Sequence, residues 1–164
     1  MALPNKVLPG FSAALYCQPT ATPTPLTTSA LSTVSSVSAL AIPANQIPVE
    51  AIPAFGQDDA VASFGVAGSR QSDKIPVQAA PTSMTITAAW NPADENLLLM
   101  RGDAYSGVID RTFVISATDG DGIVYYAFNG RVGEFKIDSA PGAEAKCTFT
   151  VHPRGNQYGW SNNA

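Results

Sequence analysis

The order of elements across residues 84–154 constrains this chain more than any other feature. Met84, Ile86, Ala88 and Trp90 alternate with Thr85 and Thr87, the period of a strand with one buried face. Asn91-Pro92 follows, then Asp94-Glu95 and the run Leu97-Leu98-Leu99-Met100. Asparagine at the N-cap, proline at the first helical position and carboxylates near the positive end of the helix dipole predict a helix starting here. Ala93, Leu97 and Met100, widened by Leu98, supply its apolar stripe, and Arg101-Gly102 is placed to close it. Such a helix, about 15 Å long at 1.5 Å per residue, does not hold alone, so the stripe must lie on a sheet.

Residues 108–118 alternate again, with Ile109, Phe113, Ile115 and Ala117 against Asp110, Thr112, Ser116 and Thr118. Asp119-Gly120-Asp121-Gly122 predicts a hairpin turn, because glycine tolerates positive φ and aspartate closes turns. Residues 123–137 read as one long strand in which Val124, Tyr126 and Phe128 share a parity that Phe135 and Ile137 do not. One extra residue must be absorbed between them, by a bulge at Asn129-Gly130 or by a second tight hairpin. Pro141-Gly142 turns the chain, and residues 146–152 form a last strand with Cys147, Phe149 and Val151 inward. The expected fold class is mainly β: two packed antiparallel sheets, as a β-sandwich or barrel, flanked by one short α-helix.

The flanking segments carry weaker signals. Residues 1–10 read as an N-terminal arm, and residues 11–18 as a strand with Phe11, Ala13, Leu15 and Cys17 on one face. Residues 19–25 form an extended loop. In residues 26–40 the spacing of Leu31, Val34 and Val37 suggests helical turns, while the many Ser, Thr and Val residues favour strand or loop. Pro43, Pro48 and Pro53 make residues 41–55 an edge strand or an extended arm. Residues 55–73 read as a long loop with room for a strand at 61–66, and residues 154–164 as a polar tail.

At 164 residues the chain is the size of one domain. Only 13% of its residues are charged against 45% apolar, about half the usual charged share, which suits surface that other proteins cover. A net charge of −4 does not favour binding to nucleic acid or to acidic membranes. No stretch approaches the ~20 unbroken apolar residues of a membrane span, and the N-terminus has no basic segment followed by an apolar one. The expectation is a protein made and kept in a cytoplasm, or leaving it only inside an assembly. Cys17 and Cys147 belong to no Cys-x-x-Cys pair and each lies in a strand-like run, so two buried thiols are expected rather than a disulfide or a zinc site.

The short motifs carry no chemistry. Arg101-Gly102-Asp103 reads as a helix end, and Asp119–Gly122 lacks the twelve-residue ligand spacing of a calcium loop. His152 is the only histidine, and no Gly-x-Ser-x-Gly elbow or phosphate-binding glycine loop is present. Tyr125, Tyr126 and Phe128 lack the basic neighbours of a base-stacking platform, so they read as core. No catalytic, cofactor-binding or metal-binding residue is expected.

This succession resembles the tail tube (major tail) proteins of long-tailed, non-contractile bacteriophages. The matching pieces are the Thr-rich strand ending in Trp90-Asn91-Pro92, the acidic-capped helix through Leu97-Leu98-Leu99-Met100, and the strand Arg111-Thr112-Phe113-Val114-Ile115. After them come the turn 119–122, the long strand broken by Gly130 and Gly133, and the closing segment 148–155. Residues 26–40 depart from the family pattern. The resemblance implies a structural virion protein, without enzymatic activity or cofactor, that self-assembles into stacked hexameric rings in the host cytoplasm. The rings would form the tail tube through which genomic DNA passes. Implied partners are copies of itself, a tape measure protein in the lumen, the tail terminator and distal tail or baseplate proteins, with no membrane. On that reading Phe55, Asp58, Asp59, Phe64 and Arg70 in the loop and Tyr158 and Trp160 in the tail are the candidate inter-subunit contacts. Asp73, Asp110, Glu134 and Asp138 are the candidate acidic residues of the lumen. The competing reading is a monomeric β-sandwich binding module for sugar or protein, which would show an exposed aromatic cluster.

Overall fold

A computed structural model describes residues 12–21, 23–65, 67–68, 72–118 and 122–163. In chain order these form β1 (Ser12–Cys17), α1 (Thr28–Leu31), α2 (Val34–Ser38), a 3-10 turn (Pro43–Asn45) and β2 (Gln46–Ile47). Then follow β3 (Gln57–Gly65), β4 (Ser72–Pro81), β5 (Met84–Ala89), α3 (Glu95–Ser106), β6 (Asp110–Thr118), β7 (Gly122–Asp138) and β8 (Lys146–Asn163). The expected arm 1–10 and the turn residues 119–121 lie outside the described residues.

Six strands make one antiparallel sheet in the order β2-β1-β6-β7-β8-β5, and β3 pairs with β4 as a separate ribbon. The large sheet curls until its two ends meet. Val49, just beyond β2, bridges Ala88 of β5, and the Glu50 and Ala89 amides donate to the Thr87 and Pro48 carbonyls at 3.0 Å each. The result is a half-barrel whose concave side is filled by Leu15, Ile47, Ile86, Phe113, Phe128 and Phe149, all essentially inaccessible to water. These side chains alternate along their strands with Thr85, Thr87, Ser116 and other polar positions, as period-two patterning requires. The fold is mainly β, a curled antiparallel sheet with a second, small sheet and one flanking helix of more than two turns, α3, as expected.

Helix α3 packs Leu97 and Met100 into this core. It begins and ends later than the sequence suggests. Asp94 is the N-cap, accepting hydrogen bonds from the Asn96 and Leu97 amides, while Asn91-Pro92 forms a preceding turn in which Asn91 Oδ1 accepts from the Ala93 amide. The helix runs through Gly102 and stops at Gly107, whose φ of 67° is the left-handed geometry of a C-cap. Leu98, expected to widen the stripe, is 42% exposed.

The parity switch in β7 occurs at Glu134, not at Asn129-Gly130. Between the pairs Gly133↔Thr150 and Lys136↔Thr148, two β7 residues oppose the single residue Phe149. Glu134 has φ 55°, a positive value found at no other non-glycine residue among those described. The bulge returns Phe135 to the inner face, where its ring stacks on Phe149 at 6.0 Å. A second irregularity lies on β8, where Gly155-Asn156 is looped out between the partners of Phe128 and Asn129.

The undecided segment 26–40 is helical. Leu31 of α1 and Val37 of α2 close the convex face of the sheet over Val114 and Ala127, beside Tyr16, Tyr125 and Tyr158. A ring of hydrogen bonds fixes its entry. The Leu26 amide donates to Thr112 Oγ1 (2.9 Å), Thr112 to Asn129 Oδ1 (2.7 Å), and Asn129 Nδ2 to the Leu26 carbonyl (2.9 Å).

Two other expectations need correction. Residues 55–73 are not a long loop: β3 spans nearly all of the first half and pairs with β4 from Gln57↔Pro81 to Gly65↔Ser72, with one register shift between Ala60 and Val61. Residues 154–164 are not a tail, because β8 continues through Asn163 along β7. The central prolines behave as edge residues: β2 lies at the sheet's margin, with Pro43 opening the 3-10 turn before it.

Candidate functional site

The most distinctive surface of this molecule is made of strand edges. β8 pairs with β5 only from Lys146 to Val151, yet it runs on to Asn163. Among the described residues, nothing pairs with its outer edge beyond that point, nor with either outer edge of the β3–β4 ribbon. Pro153 stands just past the last β5-paired residue, where a missing amide does no harm to a ladder that has ended. An unpaired edge of this length exposes a row of amides and carbonyls that templates another strand.

The ribbon has no core of its own. Every residue of β3 is exposed, including Val61 at 54% and Phe64 at 64%, and Ile75 on β4 is 56% exposed. Ile75 opposes Ala62, and Phe64 lies two residues along on the same face, so the two large side chains form one apolar knob. A two-stranded ribbon in water is marginal by itself. At its base the Thr82 amide donates to the Gly56 carbonyl at 3.1 Å, and Thr82 Oγ1 donates to Asp58 at 3.1 Å. Ser83 and His152 Nδ1 are hydrogen-bonded at 2.9 Å just beyond, which engages the lone histidine in tethering the ribbon to β8.

Phe55 precedes the ribbon, with its ring centroid 4.8 Å from that of Tyr126. It borders a groove of about 570 Å³ that Ala13, Ala51, Ile52, Ala117 and Val124 also line, with Glu50 at its rim. Glu50 is ion-paired to Lys146 at 2.5 Å, both about half exposed.

The sequence candidates fall into separate places. Asp58, Asp59 and Phe64 stand on β3, Asp73 stands on β4 opposite Phe64, and Arg70 lies outside the described residues. Tyr158 is half-buried against the α1–α2 cluster, and Trp160 stands opposite Tyr125 in β8. The four acidic candidates stand on three strands, Asp73 on β4, Asp110 on β6 and Glu134 and Asp138 on β7. Asp110 is paired with Arg131 (2.9 Å) and Arg154 (3.0 Å). Partial burial alone would raise its pKa, but hydrogen bonds and charge from the two arginines outweigh that and hold the carboxyl below its usual range. Glu134 accepts from Thr150 Oγ1 at 3.3 Å, and Asp138 is exposed where β7 ends, opposite Lys146. Sequence reasoning missed Val61 and Ile75 as surface-exposed apolar groups; the available signal was their place among Ala, Ser and Asp in a segment with no buried parity.

Chemistry-bearing groups are sparse. Cys17 and Cys147 are free and buried, as expected. Burial pushes the Cys17 thiol up to about 12 and raises that of Cys147. Among the described residues no three His, Cys, Asp or Glu side chains converge as metal ligands do.

No protein-family model matches the chain, and no curated protein matches it in sequence. Solved structures do match it in shape. A chain of the cryo-EM structure of the anti-feeding prophage (AFP) baseplate, six-fold symmetrised, superposes with a TM-score of 0.61 at 10% identity, over 90% of both chains. The SPP1 tail tube structure, from solid-state NMR and cryo-EM, gives 0.54 at 10% identity, over 93% of this chain and 77% of that one. The tail of an empty GTA particle with C6 symmetry gives 0.47 at 12% identity, over 70% and 85%. The fold of this chain is the tail tube fold.

Proposed function

We propose that this protein is a structural component of a phage or phage-like tail, and that copies of it assemble into hexameric rings stacked as a tail tube. The observation that carries the proposal is the pair of unfinished features: the outer edge of β8 past Val151 and the coreless β3–β4 ribbon. Closing a ring pairs edges that are otherwise an aggregation hazard, and burying the ribbon against another copy supplies the core it lacks. The low charged fraction fits surfaces that become interior on assembly. The tail tube fold supports the same reading.

In this proposal the tube is the conduit for genome delivery, made in the host cytoplasm and retained in the virion of a long-tailed phage. A tape measure protein occupies the lumen, and terminator and distal tail or baseplate proteins cap the ends. An excess of carboxylates suits a channel that must pass DNA without holding it, because phosphate contacts made by Lys and Arg dominate such affinity. Candidate contacts between copies are Phe55, Asp58, Asp59, Phe64, Arg70, Tyr158 and Trp160. Asp73, Glu134 and Asp138 remain lumen candidates, whereas Asp110 is the weakest because two arginines already neutralise it. The role is architectural rather than catalytic.

Negative-stain electron microscopy of the purified protein tests this directly. Six-fold rings or tubes are expected as concentration rises. A species that sedimentation shows to be strictly monomeric at every concentration overturns the proposal.

A further inference from the structure

The two outer edges of the β3–β4 ribbon are not equivalent. Antiparallel strands alternate between residues whose amide and carbonyl meet the partner and residues whose amide and carbonyl point away from it. The Thr82 amide donates to the Gly56 carbonyl at 3.1 Å, so Gly56 and every second residue after it face β4. Gln57, Asp59, Val61, Ser63 and Gly65 therefore turn their amides and carbonyls outward, and none of them is a proline. On β4 the outward positions include Pro81, opposite Gln57, and Pro76, opposite Val61. Neither has an amide hydrogen to offer a further strand. The β4 edge is thus blanked at both places, while the β3 edge is intact.

β8 alternates in the same way. The Trp90 amide donates to the Ala145 carbonyl at 2.8 Å, which sets Cys147, Phe149 and Val151 toward β5 and the residues between them toward β7. Looping out Gly155 and Asn156 leaves the alternation unchanged, so Tyr158 and Trp160 face β7 as His152 and Arg154 do. Gln157, Gly159, Ser161 and Asn163 then point their amides and carbonyls away from β7, again with no proline among them. The chain's own ribbon does not complete this edge. A cleft of about 380 Å³, lined by Ala79, Pro81, Asn156 and Gln157, separates the base of β4 from β8.

We infer that residues 157–163 of β8 in one copy pair, backbone to backbone, with the outer edge of β3 in a second copy of this chain. This pairing rests on the self-assembly proposed above and names the edges that meet. The outward residues of β8 span about 20 Å and those of β3 about 26 Å, so one ladder engages every open donor on β8. Charge selects the same partner. β3 carries Asp58 and Asp59 and no basic residue, whereas β8 carries Lys146, His152 and Arg154 and no acidic one. Two β3 edges meeting each other would instead bring two acidic strands together. The chemistry is strand addition, in which main-chain hydrogen bonds supply the contact and the neighbouring side chains set the choice of partner.

Proline at an outward position removes a donor from the edge and none from the strand's own ladder, so it reads one edge at a time. Ser63→Pro on β3 and Ser161→Pro on β8 should each keep the far-UV circular dichroism spectrum and raise the concentration needed for assembly at least tenfold. Ser63→Ala and Ser161→Ala keep the amide and should assemble as the parent does. Ala79→Pro, at an outward position of the β4 edge, should also leave assembly unchanged. Full assembly by a folded Ser63→Pro or Ser161→Pro protein, or its loss in a folded Ala79→Pro protein, overturns the inference. Where a proline variant loses its spectrum, cross-linking decides. Val61→Cys in one protein and Ser161→Cys in another are mixed under assembly conditions and treated with a short bis-maleimide; the two native thiols are buried and stay unmodified. Val61 is central in β3, so a covalent heterodimer is expected whichever way the two strands run. Rings or tubes with no 61–161 product, or with a 61–61 product alone, overturn the edge pairing while leaving self-assembly standing. Absence of any assembly by the parent protein in microscopy and sedimentation overturns self-assembly and the edge pairing together.

Discussion

Asp103 on α3 and Arg111 on β6 form a two-point ion pair inside the protein, each side chain less than 5% exposed. Arg111 Nη2 donates to Asp103 Oδ1 at 3.0 Å and Nε donates to Oδ2. Nη1 donates to the Gln18 and Thr20 carbonyls, so one guanidinium joins α3, β6 and the chain leaving β1.

Removing one partner strands the other's charge in the core. Asp103→Ala should therefore lower unfolding stability by about 3–5 kcal/mol. The double variant Asp103→Leu with Arg111→Met should lose clearly less, since neither charge is left unpaired. Urea denaturation of the three proteins decides this; a single variant within about 1 kcal/mol of the parent would mean that the pair does not join these elements.

Two glycines should respond in opposite directions to alanine. A Cβ on Gly130 would lie 3.1 Å from Val151 Cγ1, 3.2 Å from the His152 carbonyl and 3.4 Å from Phe113 Cδ2. Gly130→Ala should cost about 1–3 kcal/mol through overpacking against backbone that cannot retreat. Gly102 sits inside α3 with nothing within 4 Å of the added carbon. Gly102→Ala should stabilise by about 0.5–1 kcal/mol, by removing backbone freedom from the unfolded chain. Thermal melts of both variants provide the comparison, and equal shifts of the same sign refute the packing argument.

The bulge at Glu134 makes a further prediction. A side chain held at φ 55° is strained, and a β-branched one more so. Glu134→Val should destabilise by about 1–3 kcal/mol, while Glu134→Gly should stay within about 1 kcal/mol of the parent, relief of strain offsetting the lost Thr150 hydrogen bond. If both variants melt together, the backbone conformation is not what fixes the bulge.

Where side chains are buried on one face, the sequence made the fold readable. Met84, Ile86 and Ala88 on β5 and Cys147, Phe149 and Val151 on β8 are inward, as their alternation indicates. The parity change from Phe128 to Phe135 revealed that a residue must be absorbed, but not where, because a bulge at Glu134 needs no glycine to betray it. The helix ends were misplaced because Asn91-Pro92 and Gly102 carry the right residue types for caps, and only packing shows that the buried stripe runs on to Asp103. Arg111 shares the inward parity of Phe113 and Ile115, but its partner Asp103 lies on α3 and is brought to it only by the fold. The ribbon is only partly legible: the sequence leaves room for a strand at 61–66, but no residue of β3 is buried in one chain, so no period-two pattern marks its extent or its partner. The same fact hides the candidate site, since a surface proposed to meet another copy carries no pattern set by its own chain's core.

The thiols give a pH-dependent prediction. Cys17 is held neutral by burial, with a pKa near 12 against an ordinary 9.0. A group whose folded pKa is raised binds its proton more tightly when native, so its stabilising contribution is intact below pH about 9 and is lost as pH climbs toward 12. Stability should thus decline across that alkaline window, and Cys17→Ser should change the slope there. At pH 8, iodoacetamide should label neither thiol until urea unfolds the chain. Rapid native labelling, followed by mass spectrometry, would contradict this burial.

Excising the ribbon separates folding from assembly. The Gly56 carbonyl and Thr82 amide are 3.1 Å apart, so residues 57–81 can be removed and the ends joined by a short glycine linker. Inside a single chain β3 contributes no buried residue, so the half-barrel should keep its cooperative unfolding, with stability changed by no more than about 1 kcal/mol. On the proposed assembly the excised piece is the part that reaches another copy, so assembly should vanish. Sedimentation and microscopy of the shortened protein read the second effect, and urea denaturation reads the first. A shortened protein that still forms tubes means that the edge of β8 suffices and the ribbon serves some other purpose. One that fails to fold means that the ribbon supports its own half-barrel, through contacts such as that of Asp58 with Thr82, more than its exposure implies.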